Sequence, residues 1–148
     1  YFACQPNFEV YGTYFSSPLL DHPNIRMLHA NLTEKMDVLR VVEGKDIVIQ
    51  AAAITSGVKH VSQNPHSIIA DNAIMNSLIL SSCYDHHISH VLFPSCTVMY
   101  HSSNKPLKET DFDANKEIYP NYFGGAWNKI YFEKIYPSEE LNQKDNLS

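Results

Sequence analysis

The stretch Asp46-Ile-Val-Ile-Gln-Ala-Ala-Ala53 indicates the fold, because it reads as an apolar β-strand that runs directly into a turn of small residues. Its apolar positions do not alternate with polar ones, which is typical of a parallel-sheet strand buried on both faces. The preceding segment, from Thr33 to Val42, has the composition of a helix that Thr33 caps and Gly44 ends. The following segment, from His66 to Cys83, has apolar residues at helical spacing and predicts a long helix.

Three further strands and one further helix are predicted outside this region. Phe8 to Phe15 and Ile25 to His29 are rich in aromatic and β-branched residues, and Ser89 to Phe93 is a short apolar run. The last helix lies within Tyr119 to Tyr136. Strands that alternate with helices form a parallel sheet with crossover helices, so the predicted fold class is α/β.

Composition excludes several classes of protein. The 148 residues are 44% hydrophobic and 18% charged, which fits one globular domain. The net charge of -5, with no cluster of basic residues, argues against nucleic acid as a partner. No apolar run approaches the roughly 20 residues of a membrane-spanning helix. Three widely spaced cysteines, an odd number, favour reduced thiols in a cytoplasmic protein.

Candidate chemistry begins where the fourth strand ends. Phe93-Pro-Ser-Cys-Thr-Val-Met-Tyr100 takes an apolar strand into a cluster of hydroxyl and thiol groups. Lys129, with Glu133 one turn later, lies on the last predicted helix. A hydroxyl at a strand's carboxyl end that faces a helical lysine is an arrangement that polarises a sugar hydroxyl or carbonyl beside a nicotinamide.

Four segments in this order resemble the extended short-chain dehydrogenase/reductase family, the NAD-dependent epimerases, dehydratases and reductases of nucleotide sugars. Asp46 to Ala53 resembles the strand and turn beneath the dinucleotide, and Asn72 resembles the family's helical asparagine. Ser95 to Tyr100 resembles its strand-end Ser/Thr motif, and Lys129 with Glu133 resembles its lysine helix. Within the family, the GDP-L-fucose synthase-like enzymes are similar in pairing Ser with Cys before the tyrosine.

The resemblance runs from about Val10 to Lys134 and implies a Rossmann-like NAD(P)-binding domain over residues 1–137. This domain lacks the family's first strand and its Gly-rich loop, since no GxxGxxG motif occurs. Residues 138–148 read as a polar tail, with the family's substrate domain absent. We therefore expect a fragment truncated at both ends.

By resemblance, the catalytic residues are Ser95 or Thr97, Lys129 and a tyrosine that acts as acid or base. The family's tyrosine lies four residues before the lysine, where this chain has Gly125. Tyr122 is the nearest tyrosine, and two turns of regular helix would separate it from Lys129 by roughly 10 Å. Either the paired glycines reshape the helix start so that Tyr122 serves, or the usual base is absent.

The resemblance also implies which residues bind the cofactor, NAD or NADP: Asn31, Leu32, Ala51, Ala52, Ala53, Asn72 and Lys129. The run of alanines lets a flat cofactor approach the backbone closely. Phe15-Ser-Ser17 supplies only hydroxyls at the end of the first strand, so the choice between NAD and NADP stays open. The resemblance implies two partners, a nucleotide-sugar substrate and a second copy of the full-length protein.

Alternatives that need no catalysis stand beside these roles. Ser95 and Thr97 would also cap a strand end, Lys129 would also pair with Glu133 at i,i+4, and Asn72 would bond backbone groups. The alternative function is a non-catalytic dinucleotide-binding or interaction module that has lost the tyrosine. Asp85-His-His-Ile-Ser-His90 has metal-ligand residue types, but His90 begins a strand, so we expect no metal site.

Overall fold

The computed structural model describes residues 1–17, 19–54, 65–118 and 123–135. The described residues contain four strands and three helices, in the order β1 Val10–Tyr14, β2 Ile25–His29, α1 Lys35–Val42, β3 Ile47–Ile49, α2 Pro65–Asp85, β4 His90–Leu92 and α3 Phe123–Ile135. Short 3₁₀ turns cover Phe2–Cys4, Thr97–Met99 and Glu109–Asp111. No helix within the described ranges is long and apolar enough to cross a membrane.

The strands form two parallel pairs. β1 runs beside β2, with Val10 opposite Ile25 and Tyr14 opposite His29. β3 runs beside β4 in the same sense, with Val48 opposite Val91. Within the described residues the two pairs form separate sheets. Helix α2 connects the parallel strands β3 and β4, so the predicted α/β class with crossover helices is confirmed.

A hydrophobic core joins α1, α2 and the second strand pair. Val38 and Val42 of α1 pack with α2, and Val48 and Val91 pack against them from β3 and β4. The α2 members are Met75, Ile79 and Cys83. Burial raises the pKa of the Cys83 thiol to about 11, so this thiol stays protonated at neutral pH.

The expectation that β3 is buried on both faces is wrong. Ile47 and Ile49 are 42% and 46% exposed, and Leu92 of β4 is 51% exposed. Successive side chains of a strand point to opposite faces, so Val48 meets the helices while its two isoleucine neighbours point away from them. The described residues cover only one face of this strand pair.

One of the two predicted ends of α1 is observed in the structure. Gly44 adopts φ +67° just after α1, as expected of a glycine that ends a helix. The N-cap of α1 is Glu34, and Thr33 does not cap the helix. The Thr33 hydroxyl instead donates to Asn31 Oδ1 at 2.8 Å. The prediction of Thr33 as the cap is therefore wrong, because the Thr33 hydroxyl bonds the Asn31 side chain and not the backbone of the helix start.

Helix α3 packs on α2 and on the turn after β4. Ala126 and Ile130 of α3 form a second core cluster with Met99 and Ile118. Asn128 Nδ2 donates to the Ile69 carbonyl of α2 at 3.2 Å, which fixes α3 along α2. These contacts place the middle of α3 beside the carboxyl end of β4.

Candidate active site

The turn after β3, residues 51–54, has no regular secondary structure and exposes its alanine side chains. Asn72 of α2 bonds its backbone twice: the Ile54 N–H donates to Asn72 Oδ1, and Asn72 Nδ2 donates to the Ile54 carbonyl, both at 2.9 Å. These are contacts of the kind expected if Asn72 has a structural role, which is to bond backbone groups. Ala51, Ala52 and Ala53 leave the backbone of this turn uncovered by large side chains, which fits close approach by a flat ligand.

A buried amide pair lies beneath the same turn. Gln50 Nε2 donates to the Ala52 carbonyl at 3.1 Å and to Asn76 Oδ1 at 2.8 Å. Gln50 is 6% exposed and Asn76 is 5% exposed. Sequence reasoning missed this pair. The signal was a glutamine that ends an apolar strand and an asparagine one helical turn after Asn72.

Lys129 of α3 reaches the end of β4. Its Nζ donates to the Pro94 carbonyl at 2.9 Å and lies 4.1 Å from the centre of the Phe93 ring. Burial lowers the pKa of Lys129, and the charges of Cys96 and Glu133 partly oppose that effect. Among the described residues Lys129 forms no ion pair, and its amine bonds the Pro94 carbonyl rather than the Glu133 carboxylate.

The hydroxyl groups of the strand-end motif lie next to this lysine contact in the chain. Ser95 follows Pro94 directly, is exposed, and donates from Oγ to Met99 Sδ at 3.1 Å. Thr97 begins the 3₁₀ turn that Cys96 precedes, and its side chain is exposed. The fold thus brings the Lys129 amine to the residue before Ser95, while the Ser95 hydroxyl is part-buried against Met99 and Thr97 is an exposed residue.

The expected acid/base tyrosine, Tyr122, lies outside the described residues. Gly125, at the position where the family has its tyrosine, is exposed and on α3. A Cβ atom added at Gly125 would have no heavy atom within 4 Å. The space at this position is open.

Asn31 and Leu32 lie at the carboxyl end of β2, on the other strand pair. The Asn31 N–H donates to Asp37 Oδ2 at 2.8 Å, and Arg40 donates to Asp37 Oδ1 at 2.9 Å. The Arg40 hydrogen bond, followed by that from the Asn31 backbone, lowers the pKa of Asp37. The Leu32 side chain packs against the core, so the contact that it would offer a ligand comes from its backbone.

The histidine-rich segment after α2 does not gather into a metal site. His87 adopts φ 53° and ends the helix, and His90 Nδ1 lies 3.2 Å from Ser89 Oγ. His86 Nε2 is buried without a hydrogen-bond partner in the described part of the chain. No three His, Cys, Asp or Glu side chains of that part lie close enough together to hold a metal ion.

A match to a known protein family identifies the family of this chain. The model of the NAD dependent epimerase/dehydratase family matches residues 7–136, which is most of the chain. The chain belongs to this family. A search of curated protein sequences found no significant match.

Solved structures share the fold of this epimerase/dehydratase-family chain. DdhaC has a TM-score of 0.70 and 19% identity, over 81% of this chain and 36% of its own. The GDP-mannoheptose C4 reductase MlghC from Campylobacter jejuni, solved with NADP bound, has a TM-score of 0.68 and 17% identity, over 82% of this chain and 40% of its own.

A double mutant of DesIV, a dTDP-glucose 4,6-dehydratase from Streptomyces venezuelae solved with NAD and DAU bound, has a TM-score of 0.65. It is 16% identical, over 80% of this chain and 36% of its own. The chain therefore spans well under half the length of these three proteins. At these identities the likeness is one of fold, which is the Rossmann-like α/β class that the resemblance implied.

Proposed function

We propose that this chain is the cofactor-binding part of an NAD(P)-dependent nucleotide-sugar epimerase, dehydratase or reductase that transfers a hydride at a sugar carbon. The observation that carries the proposal is the Lys129 amine, held 2.9 Å from the Pro94 carbonyl beside Ser95. Membership of an NAD-dependent family supports a dinucleotide as the ligand. Two of the similar structures were solved with NADP or NAD bound, which supports either cofactor here.

The residues of this site have distinct roles in the proposal. The exposed backbone of Ala51, Ala52 and Ala53 supports the dinucleotide, and Asn72 holds that backbone in place. Asn31 and Leu32 contact the adenine end through the loop after β2. When bound, the nicotinamide supplies the group that accepts and returns hydride.

Three side chains act on the reacting groups in this proposal. Lys129 holds the ribose hydroxyls, and its positive charge lowers the pKa of a neighbouring acid. Ser95 or Thr97 donates a hydrogen bond to the substrate oxygen where negative charge develops. Tyr122 is the proposed acid/base, because this chain has Gly125 at the position where the family has its catalytic tyrosine.

The test is turnover of nucleotide sugars by the full-length protein and by its Lys129→Ala variant. GDP- and dTDP-linked hexoses with NAD or NADP are the substrates to try first. Lost turnover in Lys129→Ala, with Lys134→Ala still active, is the expected result, because Lys134 is an exposed lysine on the same helix. Equal turnover by both variants would contradict the role of Lys129.

The second candidate function is a non-catalytic module that binds the dinucleotide or a partner. The exposed glycine at position 125, where the family has its tyrosine, favours this alternative. Cofactor binding by the unsubstituted full-length protein, with no turnover of any nucleotide sugar, is the result that would select it. Turnover that Tyr122→Phe abolishes would select the enzyme and assign the base.

We further propose that the full-length protein forms a homodimer in the cytoplasm. Tyr131 and Ile135, one turn apart on α3, are 59% and 46% exposed, which is an apolar stripe that a second copy would cover. All three cysteines are unpaired, as in a reducing compartment. Sedimentation velocity on the full-length protein and its Tyr131→Glu variant tests the dimer, since the added charge is expected to leave a monomer.

A further inference from the structure

We propose that Gln50 and Asn76 are positioning residues, which set the backbone of the turn at residues 51–54 for cofactor binding. This inference rests on the proposed function, in which that turn supports the dinucleotide. The two side chains touch neither substrate nor cofactor in this scheme. They act through the Ala52 carbonyl, which Gln50 Nε2 contacts at 3.1 Å.

The turn has few restraints of its own. Its residues are exposed and without regular secondary structure, and alanine side chains offer no polar group that could anchor them. Within the turn's start, the Ala51 N–H donates to the Ile49 carbonyl at 3.0 Å. Beyond Ala51, two side chains of the described residues hold the backbone, Gln50 at Ala52 and Asn72 at Ile54.

Asn76 determines where the Gln50 amide points. The two N–H groups of Gln50 Nε2 have one acceptor each, the Ala52 carbonyl and Asn76 Oδ1. Both residues are at least 94% buried, so a donor that loses its acceptor here has little access to bulk water. Asn72 and Asn76 are one turn apart on α2, so the same helix face controls both restraints on the turn.

A cavity beside the pair could accept the Gln50 side chain if it lost its hydrogen bonds. A cavity of about 190 Å³ is lined by Gln50, Asn76 and apolar side chains that include Val91, Phe93 and Phe132. Without the Asn76 acceptor, the Gln50 side chain has room to leave the Ala52 carbonyl. Of the two side-chain restraints seen in the described residues, the turn would then keep the one from Asn72.

Two variants separate a positioning role from a purely structural one. Asn76→Leu removes the acceptor and leaves a buried Gln50 N–H unpaired, which costs stability. Gln50→Leu combined with Asn76→Leu removes both polar partners, and such a paired apolar replacement is close to neutral in stability. The double variant therefore recovers stability without recovering the hydrogen bond to Ala52.

The experiment uses the full-length protein and measures three quantities: the unfolding midpoint, the Kd for NADH and NADPH, and amide hydrogen exchange at residues 53–54 without cofactor. We expect Asn76→Leu to lower the midpoint, speed exchange in the turn and weaken cofactor binding by roughly three- to tenfold, the size of one hydrogen bond. In the double variant the midpoint recovers while exchange and Kd stay altered. Ser77→Ala, which removes an exposed hydroxyl bonded within α2, is the matched control and leaves all three unchanged.

Two results would overturn the inference. One is a double variant whose Kd returns to the unsubstituted value together with its stability, which would make the pair structural only. The other is unchanged exchange at residues 53–54 in Asn76→Leu. If the unsubstituted protein binds neither NADH nor NADPH, the proposed function fails, and the exchange measurement still decides whether the pair holds the turn.

Discussion

The Nζ atom of Lys129 donates a hydrogen bond to the carbonyl oxygen of Pro94 at 2.9 Å, across 35 residues of chain. This contact joins the middle of α3 to the residue that precedes Ser95 at the end of β4. The amine also lies 4.1 Å from the centre of the Phe93 ring. An aromatic face and a carbonyl stabilise an ammonium group, but burial disfavours the charge more strongly, so the pKa of Lys129 is lowered.

Lys129→Met is expected to abolish nucleotide-sugar turnover while leaving the protein folded. Methionine keeps the length and apolar stem of the side chain but removes the charge, whose burial is unfavourable in the folded state. The unfolding midpoint should therefore stay equal to that of the unsubstituted protein or rise. Calorimetry and a turnover assay on the same full-length preparation measure both effects.

Lys134→Met is the control for this substitution, because Lys134 is exposed on the last turn of α3. It should retain turnover at the unsubstituted level. A Lys129→Met variant that unfolds at a clearly lower temperature would show that the charged hydrogen bond to Pro94 outweighs the cost of burial. That outcome would contradict the expected equal or higher midpoint.

The lowered pKa of Lys129 also predicts how stability depends on pH. Its folded-state pKa lies below the ordinary value of 10.5, so the folded protein releases this proton at a lower pH than the unfolded chain does. Between the two pKa values the unfolded state binds more protons, and the free energy of unfolding rises with pH. Below that window the charged lysine carries its full burial cost.

Denaturant unfolding at a series of pH values approaching 10.5 measures this contribution. The difference between the unsubstituted protein and Lys129→Met isolates it from the other groups that titrate in the same range. We expect the unsubstituted protein to gain stability relative to the variant as pH rises through the window. A difference that is flat, or that falls with rising pH, would mean that the pKa of Lys129 is not lowered.

The sequence allowed the strands and helices to be predicted because their signals are local, as with Gly44 after α1. The exposure of Ile47 and Ile49 was not predictable in this way, because the burial of a strand face depends on elements elsewhere in the chain. The Gln50–Asn76 hydrogen bond spans 26 residues and depends on how α2 packs on β3. The neighbourhood of Lys129 and Ser95 was anticipated only through the order of four motifs, which a family resemblance supplied.

Asp37→Ala is expected to loosen the loop at Asn31 and weaken cofactor binding. The substitution removes the acceptor of the Asn31 N–H and the partner of Arg40. Because these contacts lower the pKa of Asp37 below 3.8, its stabilising effect is present above pH 3.8 and is lost as pH falls through the folded pKa. Amide exchange at residues 31–33 and the Kd for NADH measure the two consequences.

Glu34→Ala is the matched control for Asp37→Ala. Glu34 is an acid at the start of the same helix and makes no side-chain cap hydrogen bond. It should leave exchange at Asn31 unchanged. If Asp37→Ala and Glu34→Ala alter exchange equally, the effect belongs to the charge of the helix start and not to the hydrogen bonds of Asp37.

The paired glycines of α3 are expected to respond to alanine in opposite ways. A Cβ at Gly125 meets open space, and alanine is the better helix former, so Gly125→Ala should raise the free energy of unfolding by up to about 1 kcal/mol. A Cβ at Gly124 would overlap the Ile69 side chain of α2. Gly124→Ala must therefore displace Ile69 or move α3 away from α2, and it should gain less stability or lose some.

The same pair tests whether the position of α3 matters for activity. Moving α3 at Gly124 would disturb the Asn128 contact with Ile69 and, one residue further on, the reach of Lys129 to Pro94. Turnover should then fall in Gly124→Ala and stay level in Gly125→Ala, with both variants compared well below their unfolding midpoints. Equal stability changes in the two variants would mean that α3 and α2 do not approach closely at Gly124.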